Sequence, residues 1–190
     1  MAYPDRMPTH ADWTAEMVYA LPEDGKRYEV LDGELVVTTA PSGGHQDVVF
    51  TLGRRLDDYF RAHGIGHARP SPADIEFSSR RLVQPDLFVV PPTADGKRAA
   101  SWGEIRRLLL AVEVLSPTTA RYDRVKQRAI YQSEGVAEYW IVDVDARCVE
   151  RWRPDDQRPE VVHGSLAWQP DAGVPPLVID LEAMFEEASM

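Results

Sequence analysis

The chain has 190 residues and a formal net charge of −10, from 21 lysine and arginine residues against 31 aspartate and glutamate residues. This length fits one domain spanning residues 1–190, and a hydrophobic share of 44% with a charged share of 27% is ordinary for a soluble globular protein. The acidic balance excludes a protein whose whole surface attracts nucleic acid, although a local basic site remains compatible with it.

Two further classes of protein are excluded by the composition. No apolar stretch approaches the roughly 20 residues of a membrane-spanning helix, so we expect no membrane contact. Cys148 is the only cysteine, so neither an intrachain disulfide nor a cysteine-based metal cage can form. The first residues, MAYPDRMPTHADW, lack the basic and apolar regions of a signal peptide, and we therefore expect a cytoplasmic protein.

In the first half of the chain, the pattern predicts helices alternating with strands. ADWTAEMVYALP predicts a short helix capped by Asp12 or Thr14, and RYEVLDGELVVT predicts two strands around an Asp32-Gly33 turn. HQDVVFTLGRRLDDYFRAHG has the apolar spacing of a helix, with Gly64 as its terminator. The segments ADIEFS and VQPDLFVV are then typical of strands.

The second half begins with a polar loop, PPTADGKRAASWGEI, that leads to LLLAVEVL, whose continuous apolar run predicts a strand buried on both faces. RYDRVKQRAIYQSEG predicts a helix, AEYWIVDVD and RCVERWRP predict paired strands, and LEAMFEEA predicts a last short helix after a Pro-rich stretch. Together the elements favour an α/β domain in which a central mixed β-sheet is flanked by helices on both faces.

Two carboxylates occupy apolar strands, where an ionised side chain is costly. Glu113 lies within LLLAVEVL, and Asp86 follows Pro85 and begins the apolar run LFVV. A buried carboxylate needs a cation, a proton or hydrogen-bond donors to compensate it. If the two strands are neighbours, the carboxylates converge on a hard-oxygen site suited to Mg²⁺ or Mn²⁺. For each acid alone, a cap or a structural ion pair is the alternative.

Such a site also needs groups that orient water or bind phosphate. Lys126, on the following helix, can point back over the strand end at Glu113, or it can be a solvated helix charge. His45 and Gln46 begin a helix whose N-terminus can attract a phosphate, or they cap a turn. Arg124 belongs to RYDRVKQR, with four basic residues and one acidic residue, and is either a substrate contact or part of a solvated face.

Three blocks of the sequence, VQPDLFVV, LAVEVLSPTT and DRVKQRAIYQSEGVAEYWIVDVD, resemble in order and spacing the Uma2 family of the PD-(D/E)XK nuclease superfamily. The resemblance extends from RYEVLDGELVV to PLVIDLEAMF and so covers nearly the whole chain. It implies a restriction-endonuclease-like fold and metal-dependent hydrolysis of phosphodiester bonds.

The superfamily motif carries over to particular positions of this sequence. The Asp of the motif's PD and the next acid, which bind the metal, correspond to Asp86 and Glu113. The motif's lysine, two residues beyond that acid, corresponds to Leu115, so the resemblance leaves the lysine role to Lys126. Glu29 resembles an additional N-terminal acid near the metal, and the alternative for it is an exposed hairpin charge.

Three functions follow as hypotheses. The first is a Mg²⁺- or Mn²⁺-dependent endonuclease acting on DNA, with Asp86, Glu113 and Lys126 as catalytic residues and Glu29 as a further metal ligand. The second is a nuclease-like module that binds nucleic acid or a protein without cutting, which Leu115 and the net charge favour. The third is an acidic cation-binding or partner-docking domain unrelated to nucleic acid. By analogy with nucleases that reach two strands, we expect a homodimer.

Overall fold

The structure is a computed structural model that describes residues 12–93, 103, 105, 107–117 and 119–190. Its strands are, in chain order, β1 (Arg27–Leu31), β2 (Glu34–Thr38), β3 (His67–Pro70), β4 (Ile75–Ser78), β5 (Arg81–Val83), β6 (Leu87–Val90), β7 (Leu110–Val114), β8 (Glu138–Asp143), β9 (Cys148–Trp152), β10 (Glu160–Val162), β11 (Ser165–Trp168) and β12 (Leu177–Asp180). Its helices are α1 (Ala15–Tyr19), α2 (Gly43–His63), α3 (Ala120–Tyr122), α4 (Arg128–Ser133) and α5 (Leu181–Glu187), and a π-helical segment (Asp123–Gln127) joins α3 to α4.

A mixed six-stranded sheet forms the centre of the described part of the chain, in the order β10-β9-β8-β7-β6-β3. Strands β7 and β8 are parallel, and the other neighbours in this sheet are antiparallel. Beside it lie a four-stranded sheet, β2-β1-β5-β4, and the pair β11-β12. The central mixed sheet predicted from the sequence is therefore confirmed.

Both faces of the central sheet are covered, so β7 is buried along its whole length, as its apolar run predicts. Helix α2 packs Leu52, Leu56 and Phe60 on one face, together with α5 and the β11-β12 pair. On the other face, Ile130 and Tyr131 of α4 pack together with the four-stranded sheet. The prediction of helices on both faces is confirmed, and the second face also carries a small sheet.

Local signals in the sequence determine several element boundaries. Asp32 and Gly33 both have positive φ, 53° and 87°, as a two-residue turn with the twist of a hairpin requires. The hydroxyl of Thr14, not Asp12, accepts a hydrogen bond from the amide of Met17 and caps α1. Gly64, with φ of 65°, ends α2 in the left-handed conformation.

Other elements differ from the sequence-based expectation. VQPDLFVV is not one strand, because Pro85 has no amide hydrogen for a sheet; β5 ends at Val83 and β6 begins at Leu87. Strands β3 and β10 to β12 were not predicted, since each has only three or four residues. Most of the predicted polar loop at 91–105 lies outside the described residues. No helix in the described ranges has the length and apolar character needed to cross a membrane.

Candidate active site

The pairing of β6 with β7 brings Asp86 and Glu113 together. The two strands are antiparallel, with Leu87 opposite Val112. Asp86 comes just before Leu87 and Glu113 just after Val112, so the two acids lie at the same end of the strand pair. The backbone amide of Val114 donates a hydrogen bond of 2.9 Å to Asp86 Oδ2. Both carboxylates are buried. The prediction that these two strands are neighbours is confirmed.

A third carboxylate, Glu29, comes from β1 of the four-stranded sheet. Its side chain is buried, with Oε1 accepting hydrogen bonds from the Gln84 amide at 2.8 Å and from Gln127 Nε2 at 3.0 Å. The interpretation of Glu29 as an exposed hairpin charge is therefore wrong. Side chains two positions apart share a face of a strand, and Leu31, two residues beyond Glu29, packs with residues of the central sheet.

The helix at 120–133 directs three buried polar side chains toward these carboxylates. Asp123, Gln127 and Tyr131 are buried and spaced four residues apart along it. The Tyr131 hydroxyl donates a 3.2 Å hydrogen bond to Glu113 Oε1, and the Thr119 hydroxyl donates one of 2.9 Å to Asp123. Sequence analysis missed these residues, although their spacing in phase with Ile130 was a usable signal for one inward helix face.

Asp86 accepts hydrogen bonds on both of its carboxylate oxygens. Arg27, at the start of β1, donates from Nη2 to Asp86 Oδ1 over 2.7 Å. His45 Nε2 lies 2.9 Å from Asp86 Oδ2, which also accepts from the Val114 amide. Arg27 was not found from the sequence, because it approaches Asp86 only through the packing of two separate sheets.

These side chains line one cavity of about 190 Å³. The residues that line it are Arg27, Glu29, Thr38, Thr39, Ala40, Pro41, Ser42, His45, Asp86, Glu113, Val114, Leu115, Ser116, Pro117, Thr119, Asp123 and Gln127. Within the described ranges, two polar atoms of this lining, His45 Nδ1 and Gln127 Oε1, are buried without a hydrogen-bond partner. Because unpaired buried polar atoms are costly, these two point to a ligand or water bound within the cavity.

The carboxyl groups differ strongly in how easily they ionise. Burial raises the pKa of Glu113 well above its ordinary value, and the neighbouring charge of Asp86 raises it further. Burial also raises the pKa of Glu29 to about 7 and that of Asp123 to about 6. Burial opposes ionisation of Asp86 too, but the hydrogen bond with His45 and the charge of Arg27 outweigh it and lower its pKa. The cavity therefore holds one readily ionised carboxylate, Asp86, among three whose ionisation is opposed by burial.

The other residues predicted for the site lie outside this cavity. The expected orientation of Lys126 over Glu113 is wrong, because its ammonium forms an ion pair with Glu34 and it lines a separate surface pocket. Arg124 is paired with Glu150 and Asp143 and lines a neighbouring groove instead.

Gln46 is exposed on the first turn of α2 and lines a different groove from His45. The two neighbours in the sequence are therefore separated by the helical turn, and only His45 reaches the carboxylates.

Trp140, Trp152 and Trp168 are buried, as expected for core aromatic residues.

The donor set is compatible in type with a hard divalent cation, but it is not arranged as a finished metal site. Asp86, Glu113 and Glu29 supply the carboxylate oxygens that Mg²⁺ and Mn²⁺ prefer. In the described part of the chain, however, no group of three or more His, Cys, Asp or Glu side chains is placed so that it could hold a metal ion. The contacts of Asp86 with Arg27 and His45 give a physical reason for this.

The profile of the Uma2 family, described as "Putative restriction endonuclease", matches residues 15–182. The chain belongs to the Uma2 family. This membership supports a nuclease-like role and confirms the resemblance on which the sequence-based hypothesis rests. No curated protein matches the sequence.

A solved structure supports the same fold. The crystal structure titled as that of a putative nuclease belonging to DUF820, from Anabaena variabilis ATCC 29413, is similar with a TM-score of 0.74 at 18% sequence identity. The match covers 92% of this chain and 98% of that one. This Uma2 chain therefore has the restriction-endonuclease-like fold that its sequence predicts.

Proposed function

We propose that this Uma2 protein is a Mg²⁺- or Mn²⁺-dependent endonuclease that hydrolyses phosphodiester bonds of DNA. The observation that carries the proposal is the convergence on one cavity of Glu29 from β1, Glu113 from β7 and Asp86 from the position just before β6. Among the described residues, this cavity also contains two buried polar atoms without a partner. A structural role alone gives no reason to gather several mutually repelling carboxylates around a space. Family membership supports the same reaction class.

In this proposal Asp86 and Glu113 hold the divalent cation, with Glu29 beside them. When bound, the cation polarises the scissile phosphate and lowers the pKa of its bound water. The Val114 amide fixes the orientation of Asp86, and the Tyr131 hydroxyl fixes that of Glu113.

The remaining side chains of the cavity position the reacting groups. Gln127 Oε1 is free to accept a hydrogen bond from the attacking water, since its amide nitrogen already donates to Glu29. In this proposal the Glu29 carboxylate accepts a proton from that water, since its pKa of about 7 suits a general base at neutral pH. His45 Nδ1 is available to donate to, or accept from, an oxygen of the substrate.

The direct test is cleavage of a supercoiled plasmid by the purified protein with Mg²⁺, Mn²⁺ or EDTA. We expect nicking only with a cation, and loss of at least 100-fold in rate in Asp86→Asn and Glu113→Gln. Glu76→Gln is the matched control, because Glu76 is an exposed strand carboxylate that does not line the cavity. Circular dichroism must show that the variants remain folded. Equal cleavage by all four proteins would overturn the assignment.

The proposal includes DNA as the substrate and a homodimer as the assembly, and each can be tested separately. A single-stranded RNA and a DNA duplex of the same sequence, offered in parallel, separate the two nucleic acids. A double-strand cut needs two active sites or two successive events, and a two-fold dimer supplies two sites. Light scattering on the purified protein measures whether it is a monomer or a dimer.

A nuclease-like module that binds without cutting is the second candidate function. It is favoured by Leu115 at the position of the motif lysine, and by the contacts that occupy both oxygens of Asp86. DNA binding measured in EDTA separates the two functions. A module that binds only should keep its full affinity without a cation and should show no nicking with one.

A further inference from the structure

Among the described residues that line the cavity, Arg27 is the only lysine or arginine. Its Nη2 donates to Asp86 Oδ1 over 2.7 Å and to the Ser71 hydroxyl oxygen over 3.3 Å. The Ser71 hydroxyl in turn donates to the carbonyl of Pro85 at 2.7 Å. The guanidinium is thus held directly against the residue pair Pro85-Asp86 that carries the candidate metal ligand.

The carboxylates that would attract a metal ion are the ones that attract Arg27. The charges of Glu113, Asp86 and Glu29 together outweigh burial and raise the pKa of Arg27 above its ordinary value. The guanidinium therefore supplies the positive charge that compensates the acids in this structure. A divalent cation bound by the same carboxylates would compete for the same oxygen of Asp86.

The contacts of Asp86 differ in how easily they can be released. The Val114 amide belongs to the buried backbone of β7, and the His45 side chain is 9% exposed. The Arg27 side chain is 22% exposed and has a long flexible stem. Arg27 is therefore the contact that can leave Asp86 without disturbing the sheet.

We propose that Arg27 occupies Asp86 as an exchangeable counter-ion, leaves it when a divalent cation binds, and then binds the phosphodiester of the substrate. This inference rests on the proposed function and deepens it. A guanidinium can donate two parallel hydrogen bonds to the oxygens of a phosphate. Lys126 cannot take this role, because it is paired with Glu34 outside the cavity.

A purely structural ion pair makes the opposite prediction for metal binding. If Arg27 only holds the fold together, its removal disturbs the carboxylates and weakens their affinity for a cation. If Arg27 competes with the cation, its removal strengthens that affinity while the reaction slows. The two roles are therefore distinguished by the direction of one binding measurement.

The experiment measures Mn²⁺ binding by titration calorimetry, and DNA cleavage, for the parent protein, Arg27→Gln, Arg27→Lys and Arg81→Gln. Arg81 is the matched control, because this arginine of β5 also bridges two carboxylates, Asp32 and Glu134, away from the cavity. We expect Arg27→Gln to bind Mn²⁺ roughly tenfold more tightly and to cleave roughly 100-fold more slowly. Arg27→Lys should keep an affinity near that of the parent, and Arg81→Gln should match the parent in both measurements.

Each outcome decides between defined alternatives. Equal or weaker Mn²⁺ binding by Arg27→Gln, in a parent that binds Mn²⁺ and cleaves DNA, overturns the exchange but leaves the proposed function intact. Absence of both Mn²⁺ binding and cleavage in the parent overturns the proposed function, and the exchange with it. If Arg27→Gln does not fold, judged by circular dichroism, Arg27→Met replaces it with a side chain of similar length, and Arg27→Lys still reports whether a charge at this position is needed.

Discussion

Gln127 Nε2 donates a hydrogen bond to Glu29 Oε1 over 3.0 Å, and both side chains are buried at the cavity. The preceding residue, Lys126, instead forms an ion pair with Glu34 and lies close to the face of the Tyr122 ring, with Nζ 5.4 Å from its centroid. One step along the helix thus separates a side chain of the site from a side chain of the surface.

The first prediction compares these two neighbours. Lys126→Ala should cleave DNA within about twofold of the parent rate, because exposed ion pairs contribute little and the ammonium does not reach the carboxylates. Gln127→Leu keeps the volume but removes the amide, so we expect a loss of roughly tenfold or more. Thermal unfolding checks that both variants are folded. Inactive Lys126→Ala beside active Gln127→Leu would restore the lysine role that the sequence suggested.

The contrast shows what could be predicted from the sequence at this site. Asp86 and Glu113 were identified because a carboxylate in an apolar strand is costly and therefore has a reason to be there. On the following helix, Lys126 was selected because of its charge. The prediction that it points toward Glu113 was wrong. The burial pattern of the helix, with Asp123, Gln127 and Tyr131 at equal spacing, is the better criterion, because it follows the face that packs inward.

Arg27 could not have been predicted in the same way. It precedes Asp86 by 59 positions and reaches it only because the four-stranded sheet packs against the central one. Its position in β1 carries no apolar signal and no motif. The hairpin at Asp32-Gly33, by contrast, depends on a local backbone conformation, and the sequence predicted it correctly. Contacts that depend on how two sheets pack are invisible to local patterns.

The second prediction is that the two carboxylates of the β6-β7 pair affect stability in opposite directions. Without metal, at about pH 8, Glu113→Gln should raise the free energy of unfolding by on the order of 1 kcal/mol, because burial and Asp86 disfavour the charge of Glu113. Asp86→Asn should lower it by roughly 3 kcal/mol, because Arg27, His45 and the Val114 amide all lose the carboxylate that they contact.

Urea unfolding in EDTA measures both changes. The gain from Glu113→Gln should disappear at a pH below the ordinary carboxyl pKa of 4.5, because the glutamate is then protonated in the folded and unfolded chains alike. A destabilised Glu113→Gln variant at pH 8 would mean that Glu113 is compensated in the folded protein by a contact stronger than the Tyr131 hydrogen bond.

The third prediction concerns the pH dependence of stability of the metal-free parent. The pKa of Glu29 is raised from 4.5 to about 7 and that of Asp123 from 3.8 to about 6, both by burial. Between the ordinary and raised values the folded chain binds more protons than the unfolded chain, so its stability falls as the pH rises. We expect a decrease of roughly 1–3 kcal/mol in the free energy of unfolding between about pH 5 and pH 8.

The control for that pH dependence is a pair of substitutions on adjacent strands. Glu29→Gln removes the buried carboxyl and should flatten the decrease. Glu34→Gln removes an exposed carboxyl of β2 and should leave the curve unchanged apart from a small offset. If both variants show the parent curve, the protons bound at Glu29 do not determine the pH dependence.

The fourth prediction links metal binding to proton release. Glu113 holds a proton more tightly than an ordinary carboxyl, and a cation can bind only its ionised form. Mn²⁺ binding should therefore release protons, and its apparent affinity should fall as the pH is lowered, by up to about tenfold per pH unit for one linked carboxyl. Calorimetry in two buffers of different ionisation enthalpy counts the released protons, and Glu76→Gln should release the same number as the parent. Binding that is independent of both pH and buffer would place the cation away from Glu113, because binding to Glu113 must displace a proton.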